Sequence, residues 1–344
     1  MTGYLLRENA PLEALNTLRV PSRAALMADV RSDAGLAELL AQPYLKQHPV
    51  MVLGEGSNLL FVGDFDGVIL RLGSTGIEVI EQEGSRRRLC VAAGERWDDL
   101  VRWSVGRGLY GLENLALIPG AVGAAPIQNI GAYGVELAQS VAWVEAFDRQ
   151  HNTQVRLDAE QCQFGYRDSL FKRQPGRWVV TRLALDLHDQ GELKLDYAGV
   201  REELDHLGIE SPRPAHAAEV ISRIRVRKLP NPALLPNAGS FFKNPEIAQS
   251  LAEAIAADHP SLPLFPTVPG KTKLSAAWLI EQCGLRGLRE GDAGVAEQHA
   301  LVLVNHGRAS GEQLLNLARR VASTVDQRFG VTLEPEVRLI GATW

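Results

Sequence analysis

Long hydrophobic runs are missing from this chain: no apolar stretch approaches the roughly 18 residues a membrane-spanning helix needs, and no membrane partner is expected. Cysteine is scarce. Cys90, Cys162 and Cys283 are scattered, odd in number and without a C-x-x-C pair, which fits structural thiols in a reducing compartment and predicts a cytoplasmic location. The eight histidines show no H-E-x-x-H or similar ligand spacing, so no metal is expected. Positive charge is not concentrated either. The formal net charge is −5 and neither half carries a basic block, which argues against a nucleic-acid partner. A phosphate bound here must be held by a local site. The N-terminal stretch "MTGYLLRENAPLEALNTLRV" lacks the charged-then-apolar layout of a secretory signal. At 344 residues, 45% of them hydrophobic and 22% charged, the composition is that of an ordinary soluble protein of about two domains.

Glycine is abundant and uneven: 15 of the 32 glycines lie between Gly54 and Gly134. In "PVMVLGEGSNLLF" the runs Val50–Leu53 and Leu59–Val62 read as strands. Between them Gly54, Glu55, Gly56, Ser57 and Asn58 form either a plain tight turn or a loop aiming N–H groups at an anion. "LIPGAVGAAPIQNIGAYGVEL" is richer still in small residues, with Gly120, Gly123, Gly131, Gly134 and Ala124, Ala125, Ala132. Such a stretch buries little area per residue and reads better as backbone pressed against a ligand. "GRGLYG", Gly106–Gly111, satisfies G-x-G-x-x-G. The preceding "WDDLVRWSV" has helical spacing, however, so these glycines read as a helix stop rather than a dinucleotide fingerprint.

The remainder reads as mixed α and β. Ile77–Gln82 and Arg88–Ala93 predict a hairpin, with Arg86 to Arg88 in a solvated turn. Pro212, Pro214 and the basic "RIRVRKLPNP" suggest a linker or domain boundary. Ser275 can cap a helix through Cys283, ended by Gly284, and Ala300–Asn305 is a buried strand. Ser310 and Gln313 form a capping box for a helix stopping at Gly330. Val331–Leu339 alternates as a last strand, with Glu336 and Arg338 on a face that residue type alone would leave to solvent. In "LPNAGSFFKNP", Ser240 lies among apolar neighbours, with no G-x-S-x-G elbow and no base within sequence reach, so a nucleophile is not expected there.

Seven stretches occur in one order: "LGEGSNLLF", "IPGAVGAAPIQNIGAYGVEL", "FGYRDSLFK", "RVRKLPNP", "NAGSFFKNP", "LSAAWLIEQCGLRG" and "LEPEVR". Together they resemble the UDP-N-acetylenolpyruvoylglucosamine reductases (MurB), and the likeness runs from about Asn16 to the last few residues. The resemblance implies an α+β, FAD-binding fold of the vanillyl-alcohol-oxidase/PCMH type plus a C-terminal α+β substrate domain. The implied limits are 1–72 for the first FAD subdomain, with 331–344 packing back on it, 73–227 for the second and 228–330 for the substrate domain. It also implies non-covalent FAD, NADPH as co-substrate, and reduction of an enolpyruvyl ether to UDP-N-acetylmuramate for peptidoglycan synthesis by a monomer acting on small molecules.

By the family pattern Gly54 to Asn58, together with Pro119, Gly120, Gly123, Ala124, Asn129, Gly131 and Ala132, wrap FAD, with Arg225 and Arg338 as further contacts. Family members commonly carry glycine where this chain has Glu55, whose carboxylate is expected to point outward. Hydride arriving at C3 of an enolpyruvyl group leaves a basic C2 that a placed hydroxyl can protonate; the motif makes Ser240 that acid. Arg167 matches the arginine that grips the substrate carboxylate, and Glu336 matches a glutamate that stabilises an enol or relays a proton. Tyr166, Lys228, Asn244 and Lys273 match substrate contacts. Tyr197 falls where the longer, type I members carry a mobile tyrosine, and Phe265 replaces a second tyrosine. His299 is either a substrate contact or a structural histidine. The alternative is another FAD-dependent oxidase or dehydrogenase of the same fold, which would leave Ser240, Arg167 and Glu336 without a task. A non-enzymatic nucleotide-sugar binder would have no use for flavin.

Overall fold

The computed structural model describes residues 3–197 and 199–344. The chain divides into two compact units. The first gathers the residues up to Ala10, Ala24–Glu55 and Asp66–Arg227; the second gathers Pro11–Arg23, Gly56–Phe65 and Lys228–Trp344.

In the first unit a four-stranded sheet runs in the order Tyr4–Pro11, Arg23–Val30, Phe65–Leu72, Val50–Val52. The last two strands are parallel, with Val50 opposite Val68 and Val52 opposite Leu70. Leu36, Leu39 and Leu40 of the Asp33–Leu40 helix pack on its Ala28, Val30, Val68 and Leu70. That helix starts at Ser32, whose hydroxyl accepts from the Gly35 N–H, satisfying one orphan donor. A five-stranded antiparallel sheet follows in the order Thr153–Asp158, Val141–Asp148, Trp178–His188, Arg86–Ala92, Ile77–Glu83. Leu100 and Val101 of the Trp97–Val105 helix share a core with Leu89, Val91, Leu183 and Leu185 of this sheet. Val220, Ile221 and Ile224 of the Pro214–Lys228 helix belong to the same core.

The second unit is built on a sheet ordered Asn237–Ser240, Val302–Asn305, Ala293–Val295, Arg289–Glu290. The Ala276–Gln282 and Gly311–Phe329 helices bury Leu279, Ile280, Leu314, Leu317, Val321 and Val325 in its core. The capping box of Ser310 and Gln313 is formed, and Gly330 ends the helix in the left-handed region at φ 64°. Gly311 must lack a side chain, because a Cβ there would lie 1.8 Å from the Phe61 carbonyl oxygen. The strand Leu59–Phe61 pairs in parallel with Arg338–Ile340. A three-stranded sheet holds Glu246–Ala248, Lys271–Leu274 and Leu264–Pro266. Among the described residues no helix is long and apolar enough to cross a membrane.

Three sequence expectations are corrected. Arg86 to Arg88 are not a solvated turn but strand residues; Arg88 grips Asp186 through two bonds of 2.7 and 2.8 Å, and Arg86 pairs with Glu81 at 2.6 Å. Of the linker or domain boundary read into the basic run, only the linker is corrected: the run through Lys228 is the C-terminal half of the Pro214–Lys228 helix, whose proline stands at the start where its missing N–H costs nothing, and the division between the two compact units does fall there, between Arg227 and Lys228. The final strand is shorter than its alternation predicts. Val331 and Leu333 are buried and Thr332 and Glu334 exposed, yet ladder pairing is confined to Arg338–Ile340.

Candidate functional site

The glycine loops of the first unit are held by close backbone approach. A Cβ on Gly54 would touch the Ala121 Cβ at 3.3 Å, and one on Gly123 would lie 2.6 Å from the Ala93 Cβ. Gly120 adopts φ +132°, a conformation that suits glycine. Its carbonyl accepts from the Trp97 N–H at 2.9 Å, and the Gly123 N–H donates to the Ala93 carbonyl at 2.8 Å. Side chains are thus excluded at Gly54 and Gly123, where the loops pack on Ala121 and Ala93.

Glu55 departs from expectation. Its carboxylate does not point outward but accepts from the Gly120 N–H at 2.9 Å and pairs with Arg96 Nε at 3.0 Å. Asn129 is likewise occupied. It is buried at φ +45°, its Nδ2 donates to Glu136 and to the Gly165 carbonyl, and its Oδ1 accepts from the Ala138 N–H. Any ligand contact it makes must come through its backbone. Gly131 and Ala132 pair with Glu136 and Val135. The Gly131 carbonyl accepts from Arg167 Nη2 at 2.6 Å, and a Cβ on Gly131 would meet Arg167 Nη1 at 2.9 Å.

Arg167 itself sits at φ +52° in a tight loop closed by the Gly165–Asp168 bridge. Its carbonyl accepts from Lys172 Nζ at 2.8 Å, and its guanidinium lies 5.3 Å from the ring centre of the exposed Tyr166. Tyr197 is exposed and meets Tyr133 edge-on at 5.0 Å. The guanidinium of Arg225, half-buried on its helix, makes no hydrogen bond or ion pair among the described residues. Burial lowers its pKa, opposed by Tyr133 and Asp98; a guanidinium stays charged there. One residue was missed from sequence: the buried Asn114, whose Nδ2 bridges the carbonyls of Tyr133 and Lys194, each at 2.8 Å. It fixes the segment leading to Tyr197, and no spacing signal announces it.

In the second unit, Gly56 takes φ +64°; a Cβ there would lie 2.1 Å from the Leu15 carbonyl oxygen. Ser57 follows, and then Asn58, whose carbonyl accepts from the Arg338 N–H at 3.1 Å while its Nδ2 donates to the Glu336 carbonyl at 3.3 Å. Ser240 ends its strand opposite Val302 and is half-buried. The turn before it is set by Asn237, another residue not singled out from sequence. Its Oδ1 accepts from the Gly239 N–H at 3.0 Å, with Gly239 at φ +70°; an Asn two positions before a glycine is the signal that could have found it. After Ser240, the buried Phe241 and Phe242 anchor the strand in the core. The Phe241 N–H donates to the Leu301 carbonyl at 2.8 Å, and the Phe241 carbonyl accepts from the Glu336 N–H at 2.7 Å. Ser240 and Glu336, 96 positions apart in sequence, are therefore joined through a single intervening residue.

His299 starts the turn into Val302. Its Nδ1 accepts from the Leu301 N–H at 3.2 Å, which leaves Nε2 as the donor of the neutral ring. Burial, and then the nearby Lys228 charge, push its pKa below the ordinary imidazole value. Phe265 and Glu246 both stand opposite Lys273 on the three-stranded sheet. Asn244 is partly committed, its Oδ1 accepting from the Ala276 N–H at 3.0 Å at the start of the helix. Among the described residues no group of His, Cys, Asp or Glu could hold a metal ion.

Two family models match: "FAD binding domain" over residues 24–158 and "UDP-N-acetylenolpyruvoylglucosamine reductase, C-terminal domain" over residues 231–340. A UDP-N-acetylenolpyruvoylglucosamine reductase of Xylella fastidiosa (strain M12) is 49% identical over 342 residues, 99% of this chain and 97% of its own. One of Xanthomonas oryzae pv. oryzae (strain PXO99A) is 50% identical over 343 residues, 99% of this chain and 98% of its own. The crystal structure of the reductase from Thermus caldophilus superposes with a TM-score of 0.68 at 26% identity, covering 98% of both chains. A 6-hydroxy-D-nicotine oxidase from Arthrobacter nicotinovorans shares the fold, with a TM-score of 0.50 at 14% identity over 90% of this chain and 82% of its own. The fold is the α+β, FAD-binding fold of the vanillyl-alcohol-oxidase/PCMH type.

Proposed function

The chain belongs to the UDP-N-acetylenolpyruvoylglucosamine reductase family, and from that premise we propose that it reduces the enolpyruvyl ether of a UDP-N-acetylglucosamine enolpyruvate to UDP-N-acetylmuramate, with NADPH as the electron source. Bound FAD supplies the hydride carrier between the two substrates.

By the resemblance the glycine loops wrap that group, and the residues present fit it: the half-buried Arg225 guanidinium makes no hydrogen bond or ion pair among the described residues and suits a diphosphate, while the N–H groups of Gly120 and Gly123 are spent on Glu55 and Ala93 and shape the loop. Pro119, Ala124, Asn129, Gly131 and Ala132 line the same stretch, and Arg225 and Arg338 offer further positive charge.

Ser240 gives its hydroxyl proton to C2 as hydride reaches C3, so that one hydride and one proton saturate the double bond. Arg167 holds the substrate carboxylate, on which negative charge develops when C2 takes enolate character. Glu336 supports that enol form or returns a proton toward Ser240. Lys228 and Lys273 suit the substrate diphosphate, Asn244 keeps its Nδ2 for a polar contact, and Tyr166, Tyr197 and Phe265 supply exposed rings. His299 offers Nε2–H. Residues 228–330 serve as the substrate domain, and 1–72 and 73–227 as the FAD subdomains. The enzyme works as a cytoplasmic monomer in peptidoglycan precursor synthesis.

The observation that most supports this reading is the bond from the Glu336 N–H to the Phe241 carbonyl. It ties a carboxyl-bearing segment beside a serine that has no base of its own in the chain nearby.

Anaerobic titration tests the reading. NADPH should bleach the flavin absorbance, and one equivalent of the enolpyruvyl sugar nucleotide should restore it. A protein that purifies colourless and takes up no FAD, or one reoxidised by oxygen but not by that substrate, would overturn it.

A further inference from the structure

We propose that Glu55 and Arg96 form an ion-paired clasp that sets the spacing of the two glycine loops for FAD, with Glu55 as a positioning residue and Arg96 as the group that offsets its charge. The proposal rests on the reading above that these loops cradle the FAD diphosphate, and it explains why a carboxylate can stand in such a loop.

The geometry is specific. One carboxylate oxygen of Glu55 accepts from the Gly120 N–H at 2.9 Å, and the other faces Arg96 Nε at 3.0 Å, nearer than the half-exposed Asp99 carboxylate, which stands 3.9 Å from the same nitrogen. Arg96 is fastened to the second loop by its main chain as well. It forms a bridge with Ala121, flanked by bonds from the Trp97 N–H to the Gly120 carbonyl at 2.9 Å and from the Val122 N–H to the Glu95 carbonyl at 2.8 Å. One residue before Glu55, Gly54 faces Ala121 and Ala124 with 3.3 and 3.7 Å left for a Cβ. The first loop is therefore drawn onto the second at two successive residues, once by close packing and once by the carboxylate. Glycine at position 55, common among relatives by the resemblance described above, could supply only the packing.

Charge makes the arrangement more than a strut. An unpaired carboxylate in a diphosphate cradle repels the ligand. The Arg96 guanidinium removes that repulsion while Glu55 keeps its grip on the Gly120 N–H. The Arg96 side chain is 65% exposed, and an ion pair so exposed contributes little to folding. Its loss should therefore appear in ligand affinity and not in stability.

The test uses the full chain stripped of FAD, titrated with FAD by flavin fluorescence at low and at high salt, with the melting temperature as a folding control. Arg96→Gln leaves the carboxylate uncompensated. FAD affinity should fall about tenfold at low salt, and the deficit should shrink at high salt through screening. The double variant Glu55→Gln/Arg96→Gln removes the repulsion and keeps an oxygen for Gly120, so affinity should recover. Glu55→Ala loses the acceptor, and its deficit should persist at high salt. Wild-type affinity in Arg96→Gln, or a loss that neither salt nor the double variant relieves, would overturn the clasp. Failure of the unmodified chain to bind FAD would instead overturn the cofactor reading beneath it.

Discussion

The glycine loops of residues 117–134 and the strand ending at Ser240 solve opposite problems. In the first, main chain is the working material: Gly120 takes φ +132°, Gly123 packs against Ala93 with no room for a Cβ, and Asn129 spends its amide on the loop itself. In the second, main chain is the scaffold, fixed by Asn237, Phe241 and Phe242, and it carries one small, half-buried hydroxyl. A region built from backbone shows itself in composition, because only glycine permits it. A region built from one side chain does not, because serine is tolerated almost anywhere. The comparison predicts that substitutions in the first region harm the fold and substitutions at Ser240 harm only the chemistry.

Gly123→Val should have the largest effect on stability. A Cβ already lies 2.6 Å from the Ala93 Cβ, so the branched side chain forces the loop away and should cost about 2–3 kcal/mol, seen as a lowered urea midpoint. An unchanged midpoint would break the comparison at its backbone end. Arg167→Lys should fold normally and lose roughly 10- to 100-fold in turnover of the enolpyruvyl substrate, because an ammonium cannot reproduce the two parallel bonds of a guanidinium. Turnover equal to wild type would remove Arg167 from the carboxylate.

The smallest effect is expected at His299. Burial, and then Lys228, hold its folded pKa below the ordinary value, whereas the unfolded ring takes up its proton near about pH 6.5. Below that pH the unfolded chain binds more protons, so this contribution is complete above it and falls as the pH drops. His306 is shifted the same way by burial. His299→Gln should therefore reduce, without abolishing, the loss of urea midpoint between pH 7.5 and 5.5. An undiminished loss would assign it elsewhere.

Much of the fold was legible because its signals are local. Ser275 and Ser310 cap the helices they precede, Gly330 stops one, and the hairpin after Ile77 forms close to its expected limits. The misreadings share a cause: the deciding partner was far away in sequence. Arg87 looked like a turn residue because its partner Asp189, 102 positions on, is invisible locally. Glu55 looked outward-facing because Gly120 is 65 positions away. The helix through Lys228 was hidden by prolines that lie at its start and beyond its end rather than within it. The glycine stretch could be read from residue types; Ser240, Arg167 and Glu336 became candidates only through the order of the seven motifs.

The central claim is that the Ser240 hydroxyl protonates C2 and does nothing earlier. Its most direct test is Ser240→Ala followed through both half-reactions by anaerobic stopped-flow absorbance. The account predicts bleaching by NADPH at the wild-type rate and reoxidation by the enolpyruvyl sugar nucleotide slowed by roughly 10²- to 10⁴-fold. A collapse of the NADPH step with reoxidation intact would contradict it.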